Sequence, residues 1–194
     1  MITVERWTTA DLERFPDADD LRYEIINGEL HVTKAPDTYH QIVAGRIAAA
    51  LDTWSTQNGG YTIPAPGIIL PDEDNLIPDV VWVSDARFHA SLGDDHKLHA
   101  LPELVLEVLS PGKQNEERDR EKKLDVYARG GVKEYWIVDW PNRTLDIYRS
   151  DGAGALPHIE TLTETDVLHS PLLPGFAQPM ARLFIGVPRE QHDE

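Results

Sequence analysis

The run Leu104-Val105-Leu106-Glu107-Val108-Leu109 constrains this chain more than any other feature. It is apolar at both parities, so as a strand it must be covered on both faces and therefore lie centrally in a sheet. In its middle stands Glu107. An ionised carboxylate in such surroundings costs several kcal/mol unless it is paired or binds a metal. A buried salt bridge, or a strand end that reaches solvent, is the ordinary account, because Ser110-Pro111 ends the run soon after Glu107. The other account is a site.

The rest of the chain supplies the frame for that strand. Thr8 or Thr9 opens a helical turn, followed by a loop through Phe15-Pro16-Asp17. Residues 23–32 read as a hairpin turning at Asn27-Gly28, because both residues tolerate positive φ. Ile42, Ile47, Ala50, Leu51 and Trp54 recur at helical spacing, which predicts a long helix from Thr38 to about Trp54 that stops at Gly59-Gly60. Tyr61–Leu70 and Pro78–Val83 read as strands, and residues 84–100 as a polar surface loop. A charged helix over 114–129 stops at Gly130-Gly131, a second hairpin spans Glu134–Asp139 and Thr144–Arg149, and one more strand follows near His158–Thr163. A tail ending in Leu183-Phe184-Ile185 closes the chain. This order predicts an α/β or α+β fold, a central mixed β-sheet flanked by helices, in a single domain over 1–194 with its core at about 20–185.

Asp79 is the second candidate. Pro78 cannot donate to a ladder, so it belongs at a strand beginning, with Asp79 pointing from the end of an apolar strand. Two carboxylates and a nearby lysine are what a Mg²⁺-dependent phosphodiesterase requires. Mg²⁺ takes a few carboxylate oxygens and keeps several waters, and a lysine stabilises the charged transition state.

At these residues a resemblance becomes visible. Pro78-Asp79, Glu107-Val108-Leu109-Ser110-Pro111, Lys123-Leu124-Asp125-Val126-Tyr127 and the string from Gly131 to Asp139 resemble, in order, the Uma-two family of putative restriction endonucleases. Tyr23 to Leu30, His40 and Leu173-Pro174-Gly175-Phe176 are similar to its pattern as well. The resemblance covers roughly residues 20–185. It implies the PD-(D/E)XK nuclease-like superfamily, with a restriction-endonuclease-like sheet and a Mg²⁺ (or Mn²⁺) site that cleaves DNA. Asp79 and Glu107 would be metal ligands, Lys123 the electrostatic or water-orienting group, and Glu24 an additional acid. One departure stands out: the superfamily lysine two residues after the strand's acid is Leu109 here, so the lysine must come from the following helix. Glu29 and His40 are secondary candidates.

Charge argues in the opposite direction. The sequence holds 18 Lys and Arg against 34 Asp and Glu, a net charge of −16, whereas DNA-binding proteins normally present a basic face. Yet positions 113–133 hold seven basic and five acidic residues. That stretch predicts a local basic patch beside the metal, with Lys113 and Arg120 as nucleic-acid contacts. Taking about 100° per residue, Arg120, Leu124, Tyr127 and Ala128 define the buried face, with Lys123 on its border and Lys122 in solvent. On this register Lys123→Ala should remove activity with little loss of stability.

Other chemistries find less support. Cysteine is absent, which excludes disulfides, thiolate metal sites and a cysteine nucleophile. His89, His96 and His99 lack the spacing of a helical zinc motif and lie in a Gly- and Asp-rich loop. No phosphate-cradling or Gly-x-Ser-x-Gly motif is present, and Tyr135, Trp136 and Trp140 fit core positions better than base-stacking ones. A catalytically inactive interaction module on the same fold, working with a partner, is the main alternative, and a carboxylate-pair sugar hydrolase a weaker one. The absence of an apolar leader or membrane span predicts a cytoplasmic protein without membrane contact. The apolar residues of 171–176 predict a symmetric homodimer.

Overall fold

In the computed structural model, residues 6–15 and 21–189 are described. Thr8 and Asp11 form a reciprocal capping box at the head of α1 (Thr9–Leu12). Of the loop expected after it, Pro16 and Asp17 lie outside the described residues. Asn27 and Gly28 adopt φ of 55° and 76°, the conformation a tight antiparallel turn needs. They join β1 (Leu21–Ile26) to β2 (Glu29–Lys34). The carboxylate of Asp74, fully buried, accepts from both turn amides at 2.9 Å.

Asp37 caps α2 (Thr38–Asn58) by accepting from the amides of Tyr39 and His40. The helix runs a turn past Trp54 and stops at Gly59, whose φ is 95°. The stretch expected as one strand over Tyr61–Leu70 is instead two, β3 (Tyr61–Pro64) and β4 (Ile68–Ile69), in different sheets. Pro64, Pro66 and the positive φ of Ala65 explain the break. β5 (Asn75–Leu76) and β6 (Val80–Val83) follow. The expected loop 84–100 contains a short helix, α3 (Asp85–Ser91), because the Ser84 hydroxyl accepts from the Arg87 amide and nucleates it.

β7 (Leu104–Val108) is the central strand the sequence called for. After it the chain is helical in three consecutive pieces: α4 (Lys113–Glu117), a π-helical stretch Arg118–Lys123, and α5 (Leu124–Arg129). β8 (Glu134–Asp139), β9 (Thr144–Arg149) and β10 (His158–Leu162) come next. The expected tail holds a further hairpin, β11 (Val167–Ser170) with β12 (Leu173–Pro179), and a 3-10 turn over Met180–Phe184. Pro171, Pro174, Gly175 and Pro179 hide its period-two pattern in the sequence.

The main sheet has six strands in the order β10-β9-β8-β7-β6-β3, with β7 parallel to β8 and the other pairs antiparallel. A smaller sheet has the order β2-β1-β5-β4. Alternation along β7 decides what each face meets. Leu104, Leu106 and Val108 join the cluster formed with Val43, Ile47 and Leu51 of α2. Val105 packs with Val126 and Tyr127 of α5 and with Ile26 and Leu76 of the small sheet. Glu107 shares the parity of Val105, so it points into the layer where α5 and the small sheet meet. Leu173 and Phe176 pack in the α2 cluster of their own chain, which removes the exposed apolar patch behind the dimer expectation. Tyr135, Trp136 and Trp140 are likewise core residues. Among the described residues, no helix is long and apolar enough to cross a membrane.

Candidate active site

The β6–β7 register pairs Val80 with Leu106. One step further it sets Asp79 opposite Glu107, on the face of the sheet covered by the helix and the small sheet. The Val108 amide donates to Asp79 Oδ2 at 2.9 Å and fixes this placement. From α2, His40 Nε2 reaches the same Asp79 oxygen at 3.0 Å, and Arg22 Nη1 from β1 lies 3.3 Å from Oδ1. Asp79 is thus held by three elements.

Glu107 is held from the helix. Lys123 Nζ donates to its Oε1 at 2.9 Å and the Tyr127 hydroxyl donates to the same oxygen at 2.8 Å. The ammonium also lies 3.0 Å from Oε1 of Glu24 and 3.8 Å from Oδ1 of Asp119. Glu24 accepts the Ile77 amide through Oε1, and Arg118 grips Asp119 through two parallel bonds of 2.8 and 2.9 Å. The expected lysine position, Leu109, is a buried core residue. The cation arrives from the helix instead.

The π-helical stretch explains how. Its i→i+5 bonding widens the turn, so Asp119 and Lys123 both face inward and are fully buried. The register expected from a regular helix put Lys123 on the border and Arg120 at the centre. Lys123 is in fact only 1% exposed, which overturns the expectation that its loss would leave stability unchanged. Arg120 lies off the site, its Nη1 2.6 Å from Asp146 of β9. Lys122 bonds Glu29 at 2.7 Å on the surface, and Lys113 is exposed and outside the cleft.

These groups floor a cleft of about 390 Å³ lined by Arg22, Glu24, His40, Asp79, Glu107 and Lys123, with Val32 to Asp37 as one wall. Burial pushes Glu107 upward to about 8; Lys123 opposes this, and the neighbouring charges of Asp79, Asp119 and Glu24 reinforce it. Lys123 and Tyr127 both address Oε1, and neither bonds Oε2. Burial also raises Asp79, but the bonds from His40 and the Val108 amide and the charge of Lys123 outweigh it, and the carboxyl sits below its usual range. Two neighbouring carboxyls whose surroundings drive their proton affinities apart are a mark of an acid–base or metal site. Nδ1 of His40 is buried without a hydrogen-bond partner among the described residues.

Residues 9–181 match the profile of the Uma2 family, described as putative restriction endonuclease. The chain belongs to this family. Among solved structures, a putative nuclease belonging to DUF820 from Anabaena variabilis is similar, with a TM-score of 0.71 at 14% identity, over 92% of this chain and 98% of that one. At that identity the likeness speaks for the fold. Comparison with curated proteins gives no match. Of the residues singled out in this Uma2 sequence, Asp79, Glu107, Lys123, Glu24 and the secondary His40 come together, whereas Glu29, Arg120 and Lys113 do not. Tyr127 stood in the family-like string and on the expected buried face without being singled out for the site, whereas Arg22, Arg118 and Asp119 carried no signal in the sequence beyond their residue type.

Proposed function

We propose that this Uma2 chain is a divalent-metal-dependent phosphodiesterase acting on DNA. The observation that carries the proposal is the convergence of Asp79, Glu107, Lys123 and Glu24, from four separate segments, on the floor of one cleft. Asp79 and Glu107 are the residues that would hold Mg²⁺ or Mn²⁺. They fit such an ion by chemistry: both offer hard carboxylate oxygens, they stand opposite each other, and Oε2 of Glu107 is outside the Lys123–Tyr127 bonds. Among the described residues no three His, Asp or Glu side chains form a ready ion cage, and a pair of carboxylates is the set with which Mg²⁺ retains its waters. Such an ion supplies a water of lowered pKa and neutralises phosphate charge.

The protein's own groups do the rest. His40, the Val108 amide and Lys123 favour the ionised form of Asp79, and Arg22 helps to orient it. Lys123 balances Glu24 and Glu107, and its ammonium is the cation placed to stabilise charge developing on a phosphate at the cleft floor. Glu107 must release its proton before it can act as a ligand. We further read the chain as a symmetric dimer, and a monomeric mass by light scattering at tens of micromolar would refute that.

The deciding assay is incubation of single-stranded, duplex and branched DNA with Mg²⁺ or Mn²⁺, beside Glu107→Ala. Metal-dependent cleavage lost in the variant supports the reading. No cleavage of any substrate, or cleavage unaffected by Glu107→Ala, refutes it.

A further inference from the structure

Most of the basic residues that made a duplex-binding face conceivable are already neutralised. Of the seven in positions 113–133, five lie in ion pairs: Arg118 with Asp119, Arg120 with Asp146, Lys122 with Glu29, Lys123 with Glu24 and Glu107, and Arg129 with Asp125. A duplex presents one phosphate charge per about 1.7 Å of axis and binds by displacing counterions at many of them. This protein, at −16, has no such surface on the helix beside its cleft. The cleft offers far fewer cations. Arg22, Lys34, Arg118 and Lys123 line it, and of these Lys34 alone has no ion pair among the described residues.

Shape points the same way. Glu107 and Glu24 are each 3% exposed, so a reacting phosphodiester must descend to them. The recess of about 390 Å³ is in the range of small-ligand pockets, not of a trough for a rigid helix. Its lip carries Val32, exposed by 48% although apolar, close to Lys34 and Pro36. An unpaired base can rest on such an apolar edge while its phosphate turns inward, and only a strand free of its complement can bend that way.

We propose that the strand entering the cleft is unpaired, at a single-stranded stretch, end or loop, and that intact duplex is excluded. This rests on the phosphodiesterase reading above.

The test is fluorescence anisotropy with a short labelled single strand, the same sequence as a blunt duplex, and a closed hairpin duplex with an unpaired loop. Binding is measured for the wild type in EDTA and for Glu107→Gln in millimolar Mg²⁺. The single strand and the looped hairpin should bind at least about tenfold tighter than the blunt duplex. With about two phosphates engaged at ~0.7 each, the log–log salt slope should be near −1.4. Lys34→Gln should flatten that slope by about 0.7, and Val32→Ser should weaken binding without changing it. Equal or tighter duplex binding, a slope steeper than about −5 as for six or more duplex phosphates, or no binding of any probe overturns the inference. The two readings separate in the cleavage assay. Duplex cut as fast as single strand sinks the strand preference alone, whereas single strand bound but uncut with Mg²⁺ or Mn²⁺ sinks the phosphodiesterase alone.

Discussion

Replacing Lys123 by Met keeps most of the side-chain volume and deletes the charge, so it isolates the counterion role. The ammonium lies at 2.9 Å from Glu107, 3.0 Å from Glu24 and 3.8 Å from Asp119, and is 1% exposed. Removing one partner of a buried ion pair typically destabilises by about 3–5 kcal/mol, because the other charge is left uncompensated. Here the loss depends on pH. Without the cation, Glu107 holds its proton more tightly in the folded state, so from about pH 8 upward the variant's native form binds more protons than the wild type's. Stability falls with rising pH by about 1.4 kcal/mol per unit for each extra proton held by the native state. The variant should therefore lose about 3 kcal/mol near pH 6 and about 4 kcal/mol near pH 8.5 in urea unfolding. Adding Glu107→Gln should recover about 2 kcal/mol, as expected for residues in direct contact. A loss under about 1 kcal/mol at both pH values, with additive double-variant behaviour, would refute the buried-counterion argument.

Glu107 itself gives a cleaner pH experiment. Its carboxyl rises from 4.5 to about 8 on folding, so the folded state outbinds the unfolded chain for a proton between those values. Wild-type stability should fall relative to Glu107→Gln by about 1.4 kcal/mol per pH unit across that window, and a flat difference sinks the assignment. Millimolar Mg²⁺ or Mn²⁺ should raise the melting temperature by mass action, and Asp79→Asn should abolish the rise; unchanged melting in both rejects the metal pair. Arg120→Ala, which removes the part-buried pair with Asp146 and the bond to Tyr148, should cost about 1–2 kcal/mol and leave cleavage rates unchanged. Lys122→Ala should be nearly silent in both unfolding and cleavage, and a large loss of cleavage in either variant would show that the helix register is wrong.

Several parts of this protein are written locally. Asn27-Gly28 specifies its own turn because only those residue types enter positive φ at little cost. The double-parity apolar run around Glu107 marks a central strand, and the acid inside it marks a site, since an unpaired charge there is not affordable. Asp79 after Pro78 follows from the missing proline donor. The match of these strings to one family pattern added the lysine on the following helix.

What encloses those acids was decided only by tertiary structure. Apolar periodicity locates a helix's buried face by its hydrophobic residues, but the inward face of 118–123 is Asp119 and Lys123, and a π-helical turn shifts their direction. A regular wheel therefore put Arg120 at the centre of the buried face and Lys123 only on its border, and misjudged how deeply Lys123 is buried. His40, Arg22 and Tyr127 reach the carboxylates from other elements, at separations such as the 57 residues between Arg22 and Asp79. Contacts of that kind leave no local pattern, because they exist only once the two sheets and the helix close on one another and exclude water from the charges between them.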